Sequence, residues 1–111
     1  MDKLAHYRES IKTFLRKYAE SMTGNSEIEV ELIFDTENDH YLLLDIGWQK
    51  SHRVHDCIFH FDIKDDKVWL QENNTDLEVD EDFAEMGISS DEIVVGFHHP
   101  SMRKYSNYAF S

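Results

Sequence analysis

The spacing of apolar residues predicts a helix at the start of the chain. Between residues 3 and 22 they recur every three or four positions, which is the period of an amphipathic helix that buries one stripe. Asp2 is a suitable N-cap for this helix, and Gly24-Asn25 is a suitable stop. The predicted buried stripe consists of Leu4, Tyr7, Ile11, Phe14, Leu15, Tyr18 and Met22.

After the helix, apolar residues recur at every second position, which predicts strands. Four such segments cover residues 28–35, 40–49, 53–64 and 68–73, and they are joined by short connections such as the tight turn at Asp65-Asp66. Short connections between strands favour an antiparallel meander. One face of this sheet is expected to carry the helix. In the two middle strands, that face is predicted to hold Leu42, Leu44, Ile46, Trp48, Cys57, Phe59, Phe61 and Ile63.

The opposite face of the predicted sheet combines acidic residues with a small apolar island. Glu31, Asp45 and Asp62 have the parity of this second face. Two interpretations of the island stay open. Either the C-terminal segment folds back and covers it, or it is exposed and contacts another protein, including a second copy of this chain. The island consists of Ile33, Leu43, Ile58 and Trp69.

The last third of the chain is predicted to form short helices and a docked tail. A short helix over residues 80–86 has Asp80 as its cap and Gly87 as its stop, and Phe83 faces inward. Aromatic residues in the tail favour docking on the domain. The predicted fold is therefore α+β, with an N-terminal amphipathic helix packed on a four-stranded antiparallel meander sheet, then short C-terminal helices and a docked tail. Residues 1–111 form a single domain in this prediction.

Charge narrows the classes of function. The chain has 11 Lys and Arg against 23 Asp and Glu, a net charge of −12. Between Val68 and Met102 it has no lysine or arginine but nine acidic residues. Such a surface repels phosphate, which argues against nucleic acid and anionic membranes as direct partners and favours a basic protein. The residues predicted to bind that partner are Asp76, Glu78, Asp80, Glu81, Asp82 and Glu85, together with the island around Trp69.

Cysteine usage and hydropathy indicate a cytoplasmic protein. Cys57 is the only cysteine, so no intrachain disulfide is possible, and its apolar neighbours favour a core position. The first 15 residues lack the apolar run of a signal peptide, and no stretch reaches the length of a membrane span.

Two nucleic-acid alternatives rest on weaker patterns. A metal-dependent nuclease would need Asp45 on one strand and Asp62 and Lys64 on the next, sharing the polar face and holding Mg²⁺. A direct DNA-binding factor would use the basic residues of the first helix, although acidic residues on the same helix dilute their charge. Those basic residues are Lys3, Arg8, Lys12, Arg16 and Lys17.

The histidines do not predict a metal site or a cofactor. His52 and His55 are three apart on a strand and so point to opposite faces. His98 and His99 are adjacent, and adjacent residues rarely share a metal. No pattern of a nucleophile held beside a base is present either, so a non-enzymatic role is expected.

A series of short motifs, in order and at fixed spacings, resembles the XisI family, the fdxN element excision controlling factor proteins of cyanobacteria. The resemblance covers nearly the whole chain, and none of the motifs is a catalytic signature. One departure is Asp66, where glycine is expected in the turn. The motifs include Met1-Asp2-Lys3-Leu4, Leu32-Ile33-Phe34-Asp35-Thr36-Glu37, Asp39-His40-Tyr41, Gly47-Trp48, Val68-Trp69, Gly87-Ile88, Asp91-Glu92-Ile93-Val94 and Gly96-Phe97-His98.

The resemblance implies an α+β fold with an antiparallel sheet and an accessory role in the programmed excision of a DNA element. It also implies a companion protein, the nuclease-like XisH, as the partner. It implies no catalytic residue. An acidic protein that acts on a DNA-processing partner, and not on DNA itself, satisfies both the resemblance and the charge.

Overall fold

The computed structural model describes residues 2–22 and 27–111. Its first element is the helix α1, Lys3–Ser21. The Asp2 carboxylate accepts a hydrogen bond from the Ala5 backbone N–H at 2.8 Å, which confirms the predicted cap. Met22 is half exposed at the C-cap, so its predicted burial is wrong. The predicted stop at Gly24-Asn25 lies outside the described residues.

Five strands form one mixed sheet in the order β1-β2-β3-β4-β5. The first four pair antiparallel as predicted. The prediction of four strands is wrong, because Ile93–Val95 pairs parallel with the fourth strand. The chain from residue 74 to 92 crosses over before it returns to the sheet, and a crossover of this length permits parallel pairing. The bounds are β1 Ile28–Asp35, β2 His40–Gln49, β3 His52–Lys64, β4 Lys67–Asn73 and β5 Ile93–Val95.

In β2 the residues that face the helix are Tyr41 and Leu43, not Leu42 and Leu44 as predicted. Tyr41 and Leu43 are both fully buried. Leu43 is paired with Leu32 on one side and with Phe59 on the other, so the three side chains share the helix-covered face. Because both parities of β2 are apolar, alternation alone did not determine which face is covered.

A β-bulge in β3 reverses the parity of its first half. Leu43 pairs with Phe59 and Leu44 pairs with Cys57, so Ile58 is the extra residue. Cys57 therefore lies on the second face beside Leu44, and its predicted position under the helix is wrong. Asp45 of β2 has the same parity as Leu43 and is paired with Val30, so it lies on the helix side whatever the shift in β3.

The core is a cluster of aromatic rings between α1 and the sheet. The Phe14 ring centroid lies 5.2 Å from that of Phe59 in an edge-to-face contact and 5.3 Å from that of Phe83 in a stacked one. Phe61 also meets the Phe14 ring edge-on at 5.7 Å. Aromatic pairs in these geometries stabilise a core beyond the area they bury. The helix stripe predicted from the sequence is confirmed at its buried residues, Tyr7, Ile11, Phe14 and Leu15.

The short helix α2, Asp80–Glu85, closes one end of this core with Phe83. Its N-cap is Val79 and not Asp80, so the predicted cap is wrong by one residue. Its stop is confirmed: Gly87 has a φ of +84°, and the Ile88 N–H donates to the Phe83 carbonyl oxygen at 2.8 Å. This is a glycine-terminated Schellman ending, in which a residue with a Cβ would be strained.

The tail is docked, as predicted. After a 3₁₀ turn at Ser90–Glu92 and strand β5, a second 3₁₀ turn, Pro100–Tyr105, leads to a parallel bridge between Val94 and Ala109. The Ala109 N–H donates to the Ile93 carbonyl oxygen at 2.8 Å. Among the described residues, no helix is long and apolar enough to cross a membrane.

Candidate functional site

The four residues of the predicted apolar island do not form one patch. Leu43 lies in the helix-side core, and Ile58 is the bulge residue that packs against that core. Ile33 is 43% exposed on the second face, whereas Trp69 is only 8% exposed. The island is therefore reduced to Ile33, with Trp69 covered separately.

Trp69 is covered by two cations, one of which comes from the tail. The Lys64 ammonium lies 4.0 Å from the centroid of the Trp69 ring, and the Arg103 guanidinium carbon lies 5.3 Å from it. Arg103 also donates to the carbonyl oxygens of His98 at 3.1 Å and Gly96 at 3.3 Å. The interpretation that the C-terminal segment covers the second face is thus correct at Trp69.

The predicted acidic residues lie along residues 76–85, and we call this segment the acidic face. Four of them are exposed, namely Asp76, Glu78, Glu81 and Glu85, and Asp80 and Asp82 are half buried. Part of their role is local, because three acidic residues occupy the first turn of α2, where Val79 provides no side-chain cap. Negative charge at a helix N-terminus complements the helix dipole. The four exposed carboxylates remain available to a partner.

This acidic face borders a groove with exposed apolar side chains. The residues that line the groove include Leu77, Glu78, Phe97 and Tyr108. Phe97 is 52% exposed. Burial, together with the negative charges of Asp80 and Glu78, raises the pKa of the Tyr108 hydroxyl to about 12. Acidic and apolar groups thus meet along one groove.

A second groove continues the apolar surface along the tail. It is lined by Phe97, His98, Met102 and Tyr105, and Tyr105 is 73% exposed. The sequence did not indicate these side chains as contact residues, because an aromatic tail was expected to be docked inward. The backbone is docked, but several of its large side chains point outward. We call the acidic face and the exposed Leu77, Phe97, Met102 and Tyr105 the acidic–aromatic surface.

Three of the five basic residues of α1 are engaged within the chain. The Arg8 guanidinium donates to the Asp39 carboxylate at 2.8 and 3.1 Å, and the Lys12 ammonium lies 2.9 Å from the Glu9 carboxylate. The Arg16 guanidinium carbon lies 5.3 Å from the ring centroid of Phe34. These contacts reduce the positive charge that the helix would present to DNA.

The three residues of the nuclease hypothesis do not meet. Asp45 lies on the helix side of the sheet, where burial and then the charge of Asp56 raise its pKa. Asp62 is paired with His40 and Trp69 and lies on the opposite face with Lys64. The expectation that Asp45, Asp62 and Lys64 share one face is therefore wrong, and the reason is the parity of β2, in which Asp45 points to the same side as the buried Leu43.

Asp62 belongs instead to a polar cluster with two histidines. His40 Nδ1 and His60 Nε2 each lie 2.7 Å from the same oxygen, Asp62 Oδ1, and Gln71 Nε2 donates to Oδ2 at 3.2 Å. Burial alone would raise the pKa of Asp62, but the hydrogen bonds from His40 and His60 outweigh it and hold that pKa below its ordinary value. The hydrogen bond to Asp62 raises the pKa of His40.

The pairing register between β2 and β3 brings these residues together and would have revealed the cluster. His40 opens β2 and is paired with Asp62, and His60 stands two residues before Asp62 on the same face. The histidines considered from the sequence, such as His52 and His55, are instead exposed near the far end of β3.

The fold and its surfaces define a small acidic α+β domain with one helix layer on a mixed sheet and an acidic–aromatic surface. The family model described as XisI protein matches residues 1–110. The chain therefore belongs to the XisI family.

Two solved structures cover nearly the whole chain. One is a XisI-like protein from Anabaena variabilis ATCC 29413, 41% identical, with a TM-score of 0.90 over 97% of this chain and 99% of that one. The other is the fdxN element excision controlling factor XisI from the same organism, 35% identical, with a TM-score of 0.85 over 99% and 100% of the two chains. No curated protein matches the chain.

Proposed function

We propose that this chain is a regulatory protein in the controlled excision of a DNA element. Membership of the XisI family and 35% identity over the full length to an excision controlling factor support this role. In the proposal it has no catalytic activity of its own. It acts in the cytoplasm by binding a nuclease-like partner of the XisH type.

The observation that carries the proposal is the acidic–aromatic surface. Protein interfaces combine a few aromatic anchors with a polar rim. Phe97 shares one groove with Glu78 and a second groove with the exposed Tyr105. A partner that binds DNA presents a basic groove, and acidic side chains complement such a groove. By occupying it, the chain would control access of DNA to the partner.

The electrostatic part of the proposal is tested by the rate of association with an XisH-like protein. The double variant Glu81→Lys with Glu85→Lys is compared with Glu29→Lys with Glu31→Lys. The second pair makes the same change in net charge at exposed positions of β1. We expect the first variant to associate roughly tenfold more slowly at low salt, because steering depends on the local charge pattern. The control keeps most of the wild-type rate.

The rate of association is also measured at high salt. Screening should slow the wild type towards the rate of the Glu81/Glu85 variant. Equal rates for the two charge-reversed variants, or a wild-type rate that salt does not change, would show that the acidic face is not the docking site.

The aromatic part of the proposal is tested by the rate of dissociation. Phe97→Ala and Tyr105→Ala should release the partner faster, because truncation of an interface anchor acts mainly on dissociation. Trp48→Ala is the matched control, since Trp48 is a half-exposed aromatic residue on β2. Light scattering of the isolated chain shows whether it binds a second copy of itself. If only Trp48→Ala changed dissociation, the surface would be wrongly placed.

The non-catalytic part is tested by incubation of the isolated chain with DNA and Mg²⁺ or Mn²⁺. We expect no cleavage, because Asp45 is on the other face of the sheet from Asp62 and Lys64. Cleavage that Asp62→Ala abolishes would overturn the regulatory assignment.

A further inference from the structure

The cluster on the second face offers a converging set of metal ligands. His40 comes from β2, and His60 and Asp62 come from β3. One ligand atom from each, namely His40 Nδ1, His60 Nε2 and an Asp62 carboxylate oxygen, lies within 4.8 Å of the other two. The two imidazole rings are nearly perpendicular, at 78°, and approach the carboxylate from different strands. Three donors therefore point at one place on a rigid sheet.

The chemistry of these donors selects a particular class of ion. Two imidazole nitrogens and one carboxylate oxygen suit Zn²⁺ and its transition-metal neighbours. Ca²⁺ and Mg²⁺ require oxygen ligands, and the set contains one carboxylate. We infer that His40, His60 and Asp62 form a binding site for a zinc-class divalent ion.

The distances fit this inference with a small adjustment. Each imidazole nitrogen is 2.7 Å from Asp62 Oδ1. Around a tetrahedral zinc ion with ligands at about 2.0–2.1 Å, neighbouring ligand atoms stand about 3.3 Å apart. Each of the two distances between an imidazole nitrogen and Asp62 Oδ1 therefore lengthens by roughly half an ångström when the ion enters, through rotation of the side chains. The ion takes the place of the protons that now join the imidazoles to the carboxylate.

Solvent access and support around the cluster also fit a metal site. The Asp62 side chain is 14% exposed and that of His40 is 49% exposed. The site is thus anchored at the carboxylate and open at His40, where water completes the coordination. Gln71 donates to the second oxygen of Asp62 and fixes the orientation of the carboxylate, which is the usual role of a supporting hydrogen bond. The net charge of −12 raises the local concentration of cations.

The test is a titration of the untagged, chelator-treated chain with Zn²⁺ by isothermal calorimetry. The double variant His40→Gln with His60→Gln is compared with His52→Gln with His55→Gln. Both variants lose two histidines, and the control residues His52 and His55 lie on β3 and are exposed. We expect one Zn²⁺ per chain in the wild type and in the His52/His55 variant, and loss of that site in the His40/His60 variant. Gln71→Ala should weaken binding about tenfold.

A spectroscopic measurement on the wild type makes the test independent of any variant's folding. Nitrogen-detected NMR of the histidine rings should show Zn²⁺ shifting His40 Nδ1 and His60 Nε2. The N–H proton of each ring should then move to its other nitrogen. Mg²⁺ at the same concentration should leave these signals unchanged. The inference is overturned if no stoichiometric Zn²⁺ binding occurs, if the His40/His60 variant binds as the wild type does, or if other histidines carry the shift.

Discussion

The two faces of the sheet are covered in different ways. On the helix face, interlocking rings such as Phe14, Phe59 and Phe61 leave almost no exposed surface. On the second face, one tryptophan is covered by two cations, and the polar cluster around Asp62 stands beside it. The helix face depends on many mutual contacts, whereas the second face depends on a few separate ones. Substitutions on the helix face should therefore lower the unfolding free energy more, and disturb more neighbouring residues, than substitutions on the second face.

The largest difference in unfolding free energy is expected between Phe61→Ala on the helix face and Ile33→Ala on the second face. Removing a fully buried phenylalanine costs about 3–5 kcal/mol of unfolding free energy. Truncating the exposed Ile33 should cost less than about 1 kcal/mol. Urea unfolding measures both. If Phe61→Ala does not fold, Phe61→Leu gives the milder version of the same loss. Equal costs for the two faces would contradict the comparison.

The next largest effect on stability is expected at Arg103, which covers Trp69 on the second face. Arg103→Ala removes a cation over Trp69 and the donors to two backbone carbonyls, and should cost about 1–3 kcal/mol. In a Trp48→Phe background, the fluorescence of Trp69 should shift to the red as the ring meets water. Lys104→Ala is the control, because its ammonium lies over the exposed Tyr105 ring. An unchanged spectrum in Arg103→Ala would mean that the tail does not cover Trp69.

A smaller effect is expected at the turn that joins β3 and β4. Asp65 and Asp66 have φ values of +53° and +59°, the left-handed conformation that a two-residue hairpin requires at both positions. Asp66→Gly should therefore raise the unfolding free energy by about 0.5–1 kcal/mol, since glycine adopts this conformation without strain. Thermal unfolding is the measurement. A destabilised variant would show that the Asp66 side chain makes a contact that offsets the strain.

The smallest effect on stability is expected at Asp45, an acidic residue on the helix face. Burial and the charge of Asp56 raise the pKa of Asp45, so the folded state takes up a proton more readily than the unfolded state. At neutral pH the charged Asp45 carboxylate lowers the unfolding free energy. This loss disappears as the pH falls below the unfolded pKa of about 3.9. Asp45→Asn should stabilise the chain at pH 7 by less than about 1 kcal/mol, because solvent still screens the carboxylate.

The pH dependence separates this effect from a simple change of packing. The gain from Asp45→Asn should shrink as urea unfolding is repeated at lower pH, since the wild-type carboxyl becomes neutral as well. A gain that is the same at pH 3 as at pH 7 would point to packing and not to charge.

The sequence predicted the helix and the first four strands because their periods of 3.6 and 2 are strong along many residues. It did not predict which parity of β2 faces the helix, since Leu42, Leu43 and Leu44 are all apolar. It also did not reveal the bulge at Ile58, because an extra residue in a strand leaves no local signal in an apolar run. The buried segment at Ile93 was recognised as apolar, but three residues do not indicate a direction of pairing.

The candidate surfaces were predicted in part. The acidic face lies where the one-sided charge indicated it, because charge is read directly from composition. The cluster of His40, His60 and Asp62 depends on the register between two strands, and register follows from the complete set of pairings and not from spacing. The exposed aromatic residues of the tail, such as Tyr105, depend on which side chains the docked backbone turns outward.

The parallel pairing of β5 also determines the order in which the molecule is expected to assemble. The first four strands are joined by short turns, and such local pairings form quickly. Strand β5 reaches β4 only after residues 74–92 have crossed over, and Ala109 then bridges to Val94. We expect this last segment to fold late and to open first, which hydrogen exchange at the Ala109 amide would measure. The part of the chain that carries the exposed aromatic side chains is thus the part whose order a partner would increase most.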